Sequence, residues 1–189
     1  TGIPSILTIL FGAAYGSVNT FIAMMASEVG IENAGLFFIV GTIFVFISRP
    51  FGGRIFDSKG GFWVILPGGI LYLIGLGILV SAQSLTVLLA ASVFYGFGGG
   101  LLLPSLMTWM LNVVTPDRRS GASATFYNML DIGTSSGIIL LGSVAGSIGY
   151  VNMYYYVIGV MVIFIAFFMF NHFVLQKKVK KQNQQEELA

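Results

Sequence analysis

Residues 62–82 read FWVILPGGILYLIGLGILVSA and contain no charged side chain. An apolar run of about 20 residues can cross the roughly 30 Å hydrocarbon core of a bilayer as a helix. Hydrocarbon offers free backbone groups no hydrogen-bond partner, so such a run is predicted to be helical. The residues are continuously apolar rather than alternating, which argues against membrane-barrel strands. Five further runs of this kind flank it, at about residues 4–27, 35–55, 85–114, 121–148 and 151–175.

The composition indicates a chain that lies in lipid rather than in water. Of the 189 residues, 56% are hydrophobic and 8% are charged, and the mean hydropathy is +0.91. A soluble domain carries about 25% charged residues to cover its surface. The chain has no cysteine and a single histidine, His172, so thiol chemistry and a Cys/His metal site are excluded and no cofactor is expected.

The basic residues predict the orientation of the spans. Arg49, Arg54 and Lys59 lie between spans two and three, and Arg118 and Arg119 lie between spans four and five. The remaining four follow span six: Lys177, Lys178, Lys180 and Lys181. All nine therefore lie on one side, which the positive-inside rule makes cytoplasmic.

Two regions follow from this arrangement, a transmembrane bundle over residues 1–175 and a basic, polar cytoplasmic tail over residues 176–189. Both ends of the chain are expected in the cytoplasm. The net charge of +2 comes from the tail lysines, so it is not a nucleic-acid signal. Because the chain begins at Thr1 rather than at a methionine, it is expected to be part of a longer polypeptide.

Glycines four residues apart predict close helix packing, because small residues let two helix backbones approach each other. Such a surface serves either static packing or sliding during a conformational cycle. In span four, the run Gly98, Gly99 and Gly100 followed by Pro104 is predicted to interrupt the helix. The pairs are Gly12 with Gly16, Gly96 with Gly100, Gly133 with Gly137, and Gly142 with Gly146.

Two segments resemble signatures of the major facilitator superfamily. The connection RPFGGRIFDSKGG at residues 49–61 is similar to the cytoplasmic G-x-x-x-D-x-x-G motif in the C-terminal half of that family, with Gly53, Asp57 and Gly60 at the matching positions. Gly61 and Phe62 stand where the family often has a basic pair. The segment TPDRRSGASA at residues 115–124 is similar to the P-x-x-R-x-G-x-A run that opens the eleventh helix in many bacterial drug-proton antiporters.

This resemblance implies an all-α membrane protein whose six transmembrane helices form one half, helices seven to twelve, of a major-facilitator fold with 3+3 inverted repeats. It implies a secondary transporter in the bacterial plasma membrane that works by alternating access, with proton-coupled efflux of drugs or metabolites in the antiporter branch. Its partners would be the lipid bilayer, the missing N-terminal six-helix half, a small-molecule substrate and protons, without nucleic acid. A carrier of metallophores, sugars or metabolites is the alternative within the family, and a membrane scaffold remains open.

The resemblance also implies a cytoplasmic gating motif. Asp57 is the carboxylate that would pair with Arg54, Arg118 or Arg119 and hold the cytoplasmic side shut. The alternative is that these are ordinary solvated loop charges, which contribute little. The residues of this motif are Gly53, Arg54, Asp57, Gly60, Arg118 and Arg119.

Asp131 is the one ionisable residue well inside a span. It lies twelve residues after Arg119, which corresponds to about 18 Å of helical rise and places it near the middle of the bilayer. Acids at this depth face the bundle interior or a wet cavity. Asp131 is therefore the candidate for proton coupling or cation recognition, and the alternative is an acid that fixes helix packing. Helical spacing puts it in a polar stripe with Tyr127, Asn128, Thr134 and Ser135.

The resemblance implies that the first and fourth spans line the substrate cavity. Tyr15 and Asn19 lie one turn apart on span one, and Tyr95 and Gly99 lie on span four. Together with Asn128 they are the substrate-cavity candidates, and ordinary packing is the alternative for each.

An intramembrane serine protease is the competing enzyme hypothesis, because residues 133–137 match G-x-S-x-G and His172 lies on the last span. Helical rise places Ser135 and His172 on the order of 15 Å apart in depth. A nucleophile and its base must share a hydrogen bond, so this separation argues against the protease and no enzyme is expected.

Overall fold

The computed structural model describes the backbone of residues 2–186 and the side chains of residues 2–174. Throughout these residues every regular element is helical, and six helices are long and apolar enough to cross a membrane. The predicted all-α fold with six spans is confirmed. The helices are α1 (Gly2–Glu28), α2 (Leu36–Lys59), α3 (Phe62–Val80), α4 (Leu85–Asn112), α5 (Arg119–Ile148) and α6 (Tyr150–Glu186), and a 3₁₀ turn (Pro116–Arg118) precedes α5.

Short connections make consecutive helices antiparallel, so the turns lie at two opposite ends of the bundle. The turns after α2 and α4 lie at one end, and the turns after α1, α3 and α5 lie at the other. We call the first the basic end, because the described basic residues lie there: Arg49, Arg54, Lys59, Arg118 and Arg119. The four tail lysines, at 177, 178, 180 and 181, lie outside the described side chains.

The first three helices and the last three helices make equivalent contacts, as expected of two inverted three-helix repeats. α1 packs along α5, and α4 packs along α2. Likewise α3 packs on α4, and α6 packs on α1. Exchanging α1 with α4, α2 with α5 and α3 with α6 converts each of these pairs into another one. This pattern is the packing that 3+3 inverted repeats produce.

Glycines bring α1 and α5 into backbone contact. A Cβ atom on Gly12 would lie 2.7 Å from the backbone oxygen of Leu130, and one on Gly137 would lie 2.6 Å from the Cα of Ala13. Across the same interface the hydroxyl of Thr134 donates a hydrogen bond to the backbone oxygen of Gly12, at 3.2 Å. The predicted role of these glycines in close packing is confirmed here, whereas a Cβ on Gly146 would meet no atom within 4 Å.

The predicted break in span four is wrong, because α4 is continuous from Leu85 to Asn112. Its glycines serve close approach instead. A Cβ atom on Gly98 would lie 2.5 Å from the backbone nitrogen of Tyr72 on α3, and one on Gly100 would collide with Ser48 on α2. Backbone hydrogen bonds of the helix persist through such residues, so glycine lets three helices meet without interrupting α4.

Helix α2 continues through most of the segment that the sequence predicts to be a connection. It ends at Lys59, and Gly60 follows with φ of +88°. A side chain is strained at this positive φ, so glycine is required there. The remainder of the G-x-x-x-D-x-x-G segment, including Gly53 and Asp57, is helical.

Candidate functional site

Three of the predicted substrate-cavity residues meet between α1 and α4. The amide nitrogen of Asn19 donates hydrogen bonds to the backbone oxygen of Tyr15, at 2.8 Å, and to the hydroxyl oxygen of Tyr95, at 3.0 Å. Tyr15 and Asn19 are half-buried and Tyr95 is 7% exposed. The hydrogen bond from Asn19 to Tyr95 links α1 to α4, the first helices of the two repeats. The half-buried Tyr15 and Asn19 lie at the edge of the packed core.

Aromatic rings surround this polar centre. The ring of Tyr95 lies 5.0 Å from that of Tyr72 on α3 and 5.2 Å from that of Phe37 on α2, measured between centroids. Phe11 bridges Tyr15 and Tyr72, at 5.7 and 5.5 Å. Phe11, Phe37 and Tyr72 are fully buried, so Tyr15 and Asn19 present the accessible part of this group. We call the set the tyrosine cluster: Phe11, Tyr15, Asn19, Phe37, Tyr72 and Tyr95.

Sequence reasoning missed Tyr72 and Phe37 as members of this cluster. Tyr72 is the one hydroxyl-bearing residue in the middle of the apolar α3, which is the signal that marks it. Phe37 lies near the start of α2 among other apolar residues and carries no such signal. The fourth candidate, Gly99, is buried behind the Tyr72 ring, since a Cβ there would lie 3.6 Å from that ring.

Asp131 and Asn128 lie apart from the tyrosine cluster. Both are exposed on α5, as is Ser135 one turn further along. The opposite face of α5 carries Gly133 and Gly137, which contact α1. In the described chain these polar side chains therefore point away from α1. Thr134, predicted in the same stripe, belongs instead to the contact between α1 and α5.

The gating-motif residues lie at the basic end. Gly53 and Asp57 on α2, together with Ser105 and Thr108 on α4, line a cavity of about 220 Å³. Arg49 lines it too, and its guanidinium carbon lies 5.6 Å from the centre of the Phe46 ring. Over the described side chains, Asp57 forms no ion pair with an arginine, Arg54, Arg118 and Arg119 included.

Glu28, at the opposite end of the bundle, performs a role that the sequence did not indicate. Its carboxylate oxygen accepts a hydrogen bond from the backbone N–H of Tyr150, at 2.6 Å. Tyr150 is the first residue of α6, so the side chain satisfies an N–H group that has no partner within its own helix. This hydrogen bond links the end of α1 to the start of α6.

Ser135 and His172, the two residues of the competing protease hypothesis, lie in different parts of the structure. Ser135 is exposed on α5, whereas the His172 ring stacks on Phe62 with centroids 4.1 Å apart at the basic end. Across residues 2–174 no group of three His, Cys, Asp or Glu side chains is placed to hold a metal ion.

The amino-acid sequence matches a known protein family. The profile of the Major Facilitator Superfamily matches residues 5–188. Among curated proteins, the chain is 27% identical over 139 residues to the proton-coupled antiporter flippase LtaA of Staphylococcus saprophyticus, covering 72% of the chain and 35% of that protein. It is 26% identical over 171 residues to the staphylopine export protein of Staphylococcus aureus, covering 87% and 42%.

A third curated relative matches part of the chain, and a solved structure shares its fold. Multidrug resistance protein 3 of Bacillus subtilis is 28% identical over 111 residues, covering 59% of the chain and 22% of that protein. The fold matches a crystal structure of the peptide transporter POT in complex with alafosfalin, with a TM-score of 0.76 and 18% identity over 89% of the chain and 37% of that structure. The chain thus spans less than half the length of each of these proteins.

Proposed function

This chain belongs to the Major Facilitator Superfamily, and we propose on that basis that it is the C-terminal half of a bacterial exporter. The half comprises helices seven to twelve and works by alternating access against an N-terminal six-helix half. The staphylopine export protein supports this proposal, because the chain matches 42% of that protein's length, close to one half. A half of this kind is not expected to transport by itself.

The substrate is proposed to bind at the tyrosine cluster. The observation that carries this is the hydrogen bond from Asn19 to Tyr95, which places an amide and a phenol beside aromatic rings where α1 meets α4. In two-repeat transporters the binding site lies near the midplane at the repeat interface. The cluster contains no charged side chain, and its half-buried members are Tyr15 and Asn19, so it favours amphipathic molecules held by the Tyr15 ring and a few hydrogen bonds.

Proton coupling is proposed to depend on Asp131. Its carboxylate is exposed on the side of α5 that does not contact α1, where the second half of the transporter would enclose it. An intramembrane acid facing a cavity between two bundles is suited to bind and release a proton. Asn128 and Ser135 are exposed on the same helix and would supply hydrogen bonds to it. Asp57 is proposed to close the basic end against the missing half.

The decisive experiment is pH-driven transport by the chain co-reconstituted with the N-terminal half. Ethidium tests drug export, and staphylopine tests metallophore export. Metallophore export is the second candidate because the match to the staphylopine export protein covers 87% of this chain. Asp131→Asn is expected to abolish the dependence of transport on the proton gradient, because the amide cannot ionise. Asp117→Asn, in the 3₁₀ turn before α5, is the matched control and should remain coupled.

Three outcomes of this experiment contradict parts of the proposal. Transport by the chain without a second half would overturn its assignment as a half-transporter. Full coupling in Asp131→Asn would remove Asp131 from the mechanism. Equal transport by wild type and by a Tyr95→Phe, Asn19→Ala double variant would remove the tyrosine cluster from the substrate path.

A further inference from the structure

A second, larger cavity opens at the basic end, outside the tyrosine cluster. Its volume is about 750 Å³, and it lies where the end of α2, the start of α3 and the end of α4 meet residues 168–172 of α6. We call it the aromatic cavity. The residues that define it are Lys59, Phe62, Trp63, Trp109, Asn171 and His172.

The walls of the aromatic cavity are stacked rings. Phe62 lies against His172, with centroids 4.1 Å apart and planes inclined by 25°. Phe168 lies 5.8 Å from Phe62 and 5.8 Å from Trp109, which joins α3, α4 and α6 in one apolar surface. Rings in these arrangements are held in place by their neighbours, so the cavity has a fixed apolar wall.

The rim of the aromatic cavity is polar and carries a positive charge. Lys59 is exposed at the end of α2, and the side chains of Asn112 and Asn171 also line the cavity. Of the described residues that line it, none is acidic. Asp57, two residues before Lys59, lines the separate cavity beside Arg49. The Asn171 amide nitrogen already donates to the backbone oxygen of Phe167, at 2.8 Å, so the Lys59 ammonium and the Asn112 amide are the groups that suit an anion rather than a cation.

The position of the cavity favours a ligand that comes from the membrane. It lies at helix ends, where lipid headgroups meet the hydrocarbon core, and Trp63 on its wall is 58% exposed on α3. Tryptophan is enriched at this level of a bilayer. A water-soluble anion would contact the polar rim but not the aromatic wall. A lipid contacts both, because its headgroup is polar and its acyl chains are apolar.

We propose that the aromatic cavity binds one anionic phospholipid from the adjacent leaflet. Its phosphate lies at the rim beside Lys59, with Asn112 and Asn171 close by, and one acyl chain lies along Phe62 and Trp63. This site is distinct from the substrate path and does not depend on the proposed transport activity. A bound lipid would connect the turn after α2 to α4 and α6.

The two tryptophans provide a direct test. The chain contains only Trp63 and Trp109, and both line this cavity. Trp63→Phe leaves the half-buried Trp109 as the reporter. In detergent, phosphatidylglycerol with bromine near the glycerol end of its chains should quench Trp109 at about fivefold lower concentration than equally brominated phosphatidylcholine.

Lys59 should be responsible for this preference. Adding Lys59→Gln to Trp63→Phe is expected to make the two lipids equally effective, because the charge at the rim is removed. Arg54→Gln is the matched control, since it removes a positive charge from the same exposed helix end without lining the cavity. Circular dichroism of each variant verifies that the helices are retained.

Specific results would overturn the proposal. Equal quenching by both lipids in the Trp63→Phe protein means that the cavity does not select an anionic lipid. An Arg54→Gln effect as large as that of Lys59→Gln means that overall charge, not this cavity, sets the preference. If inorganic phosphate displaces the brominated phosphatidylglycerol at equal concentration, the cavity recognises a free anion instead of a lipid.

Discussion

At the scale of single residues, the contacts of the buried tyrosine hydroxyls differ. The Tyr95 hydroxyl accepts a hydrogen bond from Asn19 on another helix. The Tyr154 hydroxyl on α6 is buried and has no hydrogen-bond partner among the described residues. Both residues occur in apolar helices, but only Tyr95 contributes a bond between helices. The two positions should therefore respond differently to loss of the hydroxyl.

Tyr95→Phe should lower the free energy of unfolding by about 0.6 to 1 kcal/mol, because Asn19 loses an acceptor from another helix. Tyr154→Phe keeps the ring and removes an unpaired buried hydroxyl, so its stability should be unchanged or slightly raised. Unfolding of the purified chain in mixed micelles, titrated with a denaturing detergent, measures both variants. A Tyr154→Phe loss as large as that of Tyr95→Phe would contradict this interpretation.

At the scale of helices, backbone contact through glycine determines which elements pair. α1 and α5 meet at Gly12 and Gly137, and α2 and α4 meet where Gly96 faces Gly41. In lipid there is little hydrophobic force between helices, so van der Waals contact of this kind supplies much of the association. The tight pairs belong to different repeats, and they hold the two three-helix units together.

Gly137→Ala should destabilise the chain by about 1–3 kcal/mol, because the new Cβ would overlap Ala13 and force α1 away from α5. Gly146→Ala on the same helix is the control, since a Cβ there meets nothing within 4 Å. Comparing thermal unfolding of the two variants with wild type separates packing from helix propensity. Equal shifts for both variants would mean that the contact is not essential.

At the scale of the whole molecule, the described positive charges lie at one end of the bundle. Every described arginine and lysine lies at the basic end. Glu28 lies at the other end and caps α6, which suits a negative charge at a helix N-terminus. The positive-inside rule predicts that the basic end faces the cytoplasm.

This orientation can be measured because the chain has no cysteine. Gln83→Cys and Ser58→Cys place exposed thiols beyond the two ends of α3. A membrane-impermeant maleimide should label the Gln83→Cys protein in intact cells and the Ser58→Cys protein only after permeabilisation. The reverse pattern would invert the orientation, and with it the side on which Asp57 acts as a gate.

The sequence alone determined the number of helices, their approximate limits and the family. These properties depend on local features: the length of each apolar run, the breaks between runs, and motif residues such as Asp57 and Gly60. The sequence also placed Tyr15, Asn19 and Tyr95 on the two helices that meet at the candidate site. It did so from the resemblance to a family, since ordinary packing is the favoured interpretation of each residue taken singly.

Only the tertiary structure decided which side of each helix packs against its neighbours. The helices are apolar around most of their circumference, so periodicity does not distinguish a packed face from one that faces lipid or a second bundle. Tyr72 is buried and Tyr155 is 57% exposed, although both are tyrosines in apolar helices. The continuity of α4, the exposure of Asp131 and the stacking of His172 on Phe62 likewise depend on contacts between residues distant in sequence.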